Sequence, residues 1–368
     1  MRFLSYIRKK ILLVAVVAFF AGTSGVWAIS FQWAPLDPLF REALADPFAC
    51  STSFRYLGVL DEASVPDSVL VANSESQQYE KIMYDNTLQR GYWQMKSAVN
   101  VGLLRVTLGP VQAEGYIQGG LNTVFQKQGS VDALGFDGMY GAGMTMRFFG
   151  IVAIQAGFHH FSGHWGDEIL ADLQESNPGL DLYSSTSTYH LEEYTRGNSW
   201  LAGISLEPVI WGRLYFFAEL PMKKAWIRPG IHVPADTIKP GSEDTNQFEN
   251  ITGQEGLSGL TAYDSSYKAW RLQTGLELRF PVWKMGSFFL AGDVQVHQDG
   301  QTLHQVGGYD PDNPWEFEYT VGGGFEFNQS VLGRKMRLEC YYHNGRFPLL
   351  NYFFQRSKYV VMGIAISG

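Results

Sequence analysis

Trp270-Arg271-Leu272-Gln273-Thr274-Gly275-Leu276-Glu277-Leu278-Arg279-Phe280 alternates residue by residue. Trp270, Leu272, Thr274, Leu276, Leu278 and Phe280 share one face of an extended strand, and Arg271, Gln273, Gly275, Glu277 and Arg279 share the other. Successive side chains of a strand point to opposite faces, so this period of two predicts a β-strand with one apolar and one charged side. Similar strands recur along the chain, and the first 28 residues indicate their destination.

Arg2, Arg8, Lys9 and Lys10 form a basic start, Ile11 to Phe20 is apolar, and small residues lead to Val26-Trp27-Ala28. That is the pattern of a secretory signal cleaved after Ala28. The apolar run is shorter than the roughly 20 residues of a spanning helix. No later segment is apolar enough to span as a helix, which leaves an exported membrane chain one architecture, the closed β-barrel. The 40 Gly, the 15% of aromatic residues and the two Cys fit that class. Without residues 1–28 the chain has 24 basic and 36 acidic residues, a net charge of −12. Nucleic acid is therefore excluded as a partner, since phosphates demand a basic surface. Cys50 and Cys340 lie on segments far apart in such a barrel, so no disulfide is expected.

Twelve strands are predicted, at 52–60, 97–108, 111–126, 138–148, 151–164, 198–210, 213–224, 268–282, 286–298, 314–328, 335–344 and 357–367. Short turns at Gly109-Pro110, Phe149-Gly150, Trp211-Gly212, 281–285 and 329–334 alternate with longer polar connections at 61–96, 127–137, 165–197, 225–267, 299–313 and 345–356. This asymmetry belongs to outer-membrane barrels, with short periplasmic turns and long extracellular loops. The expected organisation is a signal peptide at 1–28, a periplasmic segment at 29–51 and one transmembrane antiparallel barrel at 52–368. Outer-membrane lipids and the barrel assembly machinery are the expected partners; the oligomeric state is not encoded in any pattern.

Leu214, Phe216, Leu290, Val294, Phe317 and Phe325 are expected outside, and Arg213, Glu219, Asp293, His297, Glu318 and Glu326 inside. A charge on the lipid side costs about 2–4 kcal/mol near the midplane. The lumen then carries both signs, either as mutually paired ions that fill it or as a polar path for a solute. The last strand, Lys358 to Gly368, ends Ile-Ser-Gly rather than in an aromatic residue.

Functional side chains are densest in Phe158-His159-His160-Phe161-Ser162-Gly163-His164-Trp165-Gly166-Asp167-Glu168. By parity His160, Ser162 and His164 share the outward face near the outer rim, and Asn198 opens the next strand on the same face. A His can take the proton of a nearby Ser if a third group fixes its ring, and Asn198 could supply that group. His160 and His164 can equally be rim residues of the aromatic belt. His164, Asp167 and Glu168 could together hold a cation such as calcium. Asp167 and Glu168 could instead sit at the start of a short helical turn over 169–174 and complement its dipole. Asp310-Pro-Asp312-Asn313 reads as a turn first and a calcium contact second, and Asn250-Ile-Thr as an acceptor sequence without meaning in a bacterial barrel.

The His160-x-Ser162 pair with Asn198 resembles outer membrane phospholipase A, a twelve-stranded barrel with a bilayer-facing Ser–His–Asn site, and the lipid A deacylases whose His and Ser are two apart. An Asn usually follows the Ser in that pattern, and here Gly163 does. The resemblance implies a lipid acyl hydrolase with His160, Ser162 and Asn198 as its site. Over most of its length the chain resembles the barrel family called domain of unknown function 1207. That likeness rests on Trp33-Ala34-Pro35, on Leu44-Ala45-Asp46-Pro47, on the His160 to Glu168 string, and on Cys340 to Gly345 leading to Asn351 to Arg356. It implies an outer-membrane location. A structural or small-solute barrel, a lipid esterase, and an adhesin built on the 165–197 and 225–267 loops remain as three readings.

Overall fold

The computed structural model describes residues 28–73, 78–84, 89–127, 132–180, 189–194, 197–209, 211–222, 229–231, 270–282, 284–298, 315–331 and 334–367. The signal sequence, the 225–267 loop apart from 229–231, Asn250 and the Asp310 turn lie outside the described residues. The strands are β1 (Ile29–Trp33), β2 (Thr52–Val59), β3 (Ser68–Asn73), β4 (Gln78–Met83), β5 (Gly91–Leu108), β6 (Val111–Gln126), β7 (Ala133–Phe148), β8 (Val152–Trp165), β9 (Tyr189–Tyr194), β10 (Gly197–Val209), β11 (Gly212–Pro221), β12 (Pro229–Ile231), β13 (Arg271–Val282), β14 (Gly286–His297), β15 (Glu316–Val331), β16 (Arg334–Arg346) and β17 (Arg356–Ser367). Among the described residues one α-helix, α1, runs over Asp167–Ser176.

Twelve of these strands close into an antiparallel barrel, with β2 joining β17 on one side and β5 on the other. The register shows the closure directly. The rung that leaves β5 at Leu108 passes through Val111, Phe148, Val152, Leu206, Leu214, Leu276, Gly292, Val321, Tyr342, Val360 and Gly58, and returns to β5 at Gly91. That offset along one strand is the stagger that a closed, tilted sheet requires. The twelve expected strands are the twelve wall strands, with two starting earlier than the alternation suggested. β5 begins at Gly91 and β7 at Ala133, and the connection expected at 127–137 shortens to 127–132. The top of β5 was misread because its inward side chains, Tyr92, Gln94 and Lys96, are large and polar, and the lumen buries all three.

The two faces separate cleanly. Leu276 is 50% exposed on the outer wall while its neighbour Glu277 is 1% exposed inside. Phe288 and Leu290 lie outside, and Asp293, Gln295 and His297 lie inside. An apolar exterior over a charged interior is the arrangement that hydrocarbon accepts. At the short-turn end, Phe149 and Gly150 both take left-handed backbone, with φ of 56 and 69, as a tight turn between antiparallel strands demands.

The N-terminal segment departs from expectation. Residues 29–51 do not stand apart from the barrel. β1 pairs with the lower part of β5, from Ile29 opposite Leu108 to Trp33 opposite Leu104. The chain then turns at Ala34, whose φ is 47, and passes into the lumen before re-emerging as β2. The lowest wall strand beside β5 is thus built in two pieces, and the loop between them fills the interior. This stretch has no regular structure, so its peptide groups need partners from the wall. Glu114 accepts from the Leu39 amide at 3.3 Å and Glu277 from the Leu44 amide at 3.0 Å. Arg213 donates to the carbonyls of Arg41 and of Glu42, the latter at 2.9 Å, and Lys96 donates to that of Pro47 at 3.0 Å.

Wall charges also pair with one another, Arg213 with Glu277 at 3.0 Å, Arg55 with Glu339 at 2.6 Å and Arg346 with Glu318 at 2.5 Å. Of the two lumenal alternatives left by the sequence, these contacts match the paired-ion filling. Cys50 is buried inside this filling and Cys340 is exposed on the outer wall, both as free thiols.

At the loop end a small sheet in the order β12-β9-β3-β4 forms a cap. Phe347, Leu350, Tyr352, Phe353 and Phe354 form an apolar core there with Trp165, Ile169 and Leu173. The Ser64 hydroxyl donates to Asp61 at 2.5 Å and holds that carboxyl below its ordinary range, fixing the exit of β2.

Arg213→Leu leaves Glu277 buried without its principal cation, and a loss of about 3–5 kcal/mol is expected in urea unfolding of the micelle-embedded barrel. Adding Glu277→Leu recovers part of that loss. The full chain in a planar bilayer is expected to show no steady conductance step, and a stable open level would contradict the filled lumen.

Candidate functional site

β8 carries the sequence candidates, and its neighbours β7 and β10 complete the site. A strand at this point puts every second residue outside, so His160, Ser162 and His164 rise in one column near the loop end. The register sets His160 beside Tyr140 of β7 and Asn198 of β10, Ser162 beside Gly138, and His164 beside Phe136. All three candidate side chains therefore sit on the outer surface of the barrel, and none lines the lumen.

Asn198 Oδ1 lies 2.9 Å from His160 Nδ1. An amide oxygen only accepts, so Nδ1 carries the proton and Nε2 of His160 is left as the basic nitrogen. Ser162 Oγ is 3.2 Å from Nε2 of His164 rather than bonded to His160. The sequence reading named the residues of a Ser–His–Asn constellation and did not foresee that Ser162 stands between two imidazoles. Both rings are held by stacking: Tyr140 on His160 at 4.4 Å and 16°, Phe136 on His164 at 4.7 Å and 23°. Between the stacked pairs Gly138 leaves a gap, where an added Cβ would lie 3.0 Å from Ser162 Oγ.

The inward side of the same strand explains Gly163. A Cβ there would come within 2.5 Å of Asn351 Oδ1 in the cap. No side chain fits, so the Asn of the resembling pattern has no room. Asp137, also inward and buried, accepts from the Leu350 amide and from Asn122, and Asn122 donates to the Pro348 carbonyl at 2.7 Å. The wall behind Ser162 is thereby locked to the cap, which fixes the outward column from within. Tyr140, Phe136, Gly138 and Asn351 were not legible as site residues, because each meets β8 only through register or tertiary contact.

Among the described residues, no three His, Cys, Asp or Glu side chains come together to hold a metal ion. Asp167 and Glu168 instead occupy the first turn of α1, behind the N-cap Gly166, where negative charge complements the helix dipole. The helix is longer than the turn expected at 169–174, and its buried Ile169 and Leu173 anchor it to the cap.

No protein-family model matches the chain, and no curated protein matches it by sequence. Solved outer-membrane barrels align with it along most of their length. Outer membrane phospholipase A from Escherichia coli aligns at 10% identity over 86% of this chain and 89% of that one, with a TM-score of 0.45. The Salmonella typhi outer membrane phospholipase, solved as a dimer with bound calcium, aligns at 12% identity over 86% and 90%, with a TM-score of 0.44. The translocator domain of the autotransporter NalP from Neisseria meningitidis aligns at 9% identity over 86% and 88%, with a TM-score of 0.33. At these values the likeness adds nothing to what the strand register already shows, a closed twelve-stranded antiparallel β-barrel.

Proposed function

We propose that this barrel is a serine-type lipid acyl hydrolase of the bacterial outer membrane. It would be exported by the signal at 1–28 and inserted by the barrel assembly machinery. The bond between Asn198 Oδ1 and His160 Nδ1, on the outer face beside Ser162, carries the reading. The amide fixes the His160 tautomer that leaves Nε2 able to accept a proton, which a base two residues from a serine requires.

In this reading Ser162 Oγ turns toward His160 Nε2 by rotation about its Cα–Cβ bond. The oxygen attacks the ester carbonyl carbon as its proton passes to Nε2, and the carbonyl π pair moves onto oxygen. Collapse of the tetrahedral species breaks the bond to the leaving alcohol, which takes the proton from His160. Water then releases the acyl group by the same steps in reverse. Outer-leaflet lipids are the substrates this position can reach, because the acyl ester of a lipid lies where the barrel meets the membrane surface.

The solute-passing alternative loses support from the filled lumen. The adhesin alternative depends on a loop mostly outside the described residues.

The full chain refolded in detergent micelles is expected to hydrolyse a short-chain diacyl glycerophospholipid. Ser162→Ala should lower turnover at least about 10⁴-fold without loss of the folded band in semi-native gels. Asn198→Ala should cost about 10²-fold by misplacing the base. Assays with calcium and with a chelator address the cation reading. Turnover unchanged in Ser162→Ala would end the proposal.

A further inference from the structure

We infer that His164 is a second catalytic residue of this site, the group that donates a hydrogen bond to the carbonyl oxygen as it becomes an oxyanion. The inference rests on the hydrolase reading and deepens it. Two histidines flank Ser162, and one serine can use only one of them as a base. His160 has its Nδ1 tied to Asn198, so its Nε2 can accept a proton. His164 has its Nε2 3.2 Å from Ser162 Oγ. A hydroxyl has one proton to give and two lone pairs to accept with. If His164 took that proton, His160 and Asn198 would have no part in the attack. If His164 Nε2–H donates to Oγ, the serine proton is free to point at His160, and both imidazoles are used.

The surroundings place the donor where the charge develops. His164 is held by its stack on Phe136, and His160 by its stack on Tyr140, so the rings stand as two walls with Ser162 between them. The floor is Gly138, where a methyl group would already press on Ser162 Oγ. A carbonyl that enters this slot has its carbon at Oγ and its oxygen on the side away from the base, toward His164 Nε2. As the C=O bond becomes C–O⁻, the bond from His164 shortens and strengthens, and it is made fully only in the transition state. The proton of His164 stays on nitrogen throughout. The proton that travels is the one passed from Ser162 to His160 and then to the leaving alcohol.

The test uses the refolded full chain with a short-chain diacyl glycerophospholipid and, separately, an alkyl fluorophosphonate that labels an activated serine. His164→Gln keeps an N–H donor, His164→Leu removes it, and Gly138→Ala fills the slot floor on the outer face, against Ser162 Oγ. Folding is followed by semi-native gel migration. His164→Leu is expected to lose about 10²–10³-fold in kcat with KM nearly unchanged, the usual cost of an oxyanion donor. His164→Gln should recover at least about tenfold of that loss, and both should keep the acidic limb of the pH–rate profile. Gly138→Ala should slow both turnover and labelling. His164→Leu within about threefold of wild type, beside an active wild type, overturns the inference and leaves the hydrolase reading standing. Loss of the acidic limb in both His164 variants makes His164 the base and also overturns it. A folded wild type that neither turns over nor labels at Ser162 overturns this inference and the reading beneath it.

Discussion

The structure depends on charge satisfied inside a narrow barrel. Twelve strands with an apolar exterior must put their polar residues inside, and the bore is too small for those residues to be hydrated as freely as in water. Arg213, Glu277, Arg55, Glu339, Arg346 and Glu318 meet this constraint in pairs. Arg213 and Glu277, together with Glu114 and Lys96, also reach the irregular backbone of residues 39–47, whose peptide groups have no ladder of their own. Each side needs the other: the wall ions need partners, and the inserted chain needs hydrogen bonds. The result is a filled cylinder, and on its outer wall two imidazoles flank a hydroxyl.

The division of labour between faces follows from this. The lumen, usually where a barrel does its work, is here occupied by structure. The outer face of β7, β8 and β10 carries polar side chains that a lipid-facing wall ordinarily excludes. His160, Ser162, His164 and Asn198 lie at the loop end, where the surroundings pass from hydrocarbon to water. A polar column is tolerable there and costly lower down.

Most of the wall was legible because alternation in a barrel has two consequences at once, an apolar face and a charged one. Trp270 to Phe280 shows both, and its burial follows the alternation through its centre. The top of β5 was not legible, since Gln94 and Lys96 look like a loop until the lumen that buries them is known. Residues 29–51 were misassigned for the same reason: their partners, Glu114, Arg213 and Glu277, are distant in sequence. At the candidate site, the residue types and their spacing could be read from one strand. The bond of Ser162 to His164 could not, because it depends on side-chain torsions. Nor could the stacks from Phe136 and Tyr140, which depend on the register of β7 against β8.

The split first strand has a topological meaning. The inserted loop is tethered at both ends in the wall: the Ala34 amide donates to the Leu103 carbonyl, and Thr52 bonds across to Ala98. A tail inside a barrel is held at one end; this loop is held at both. Residues 34–51 and the wall are therefore one continuous piece of chain, and the loop has no free end by which to leave. What fills the lumen is thus an excursion of the wall's own chain rather than a stopper added to a finished pore.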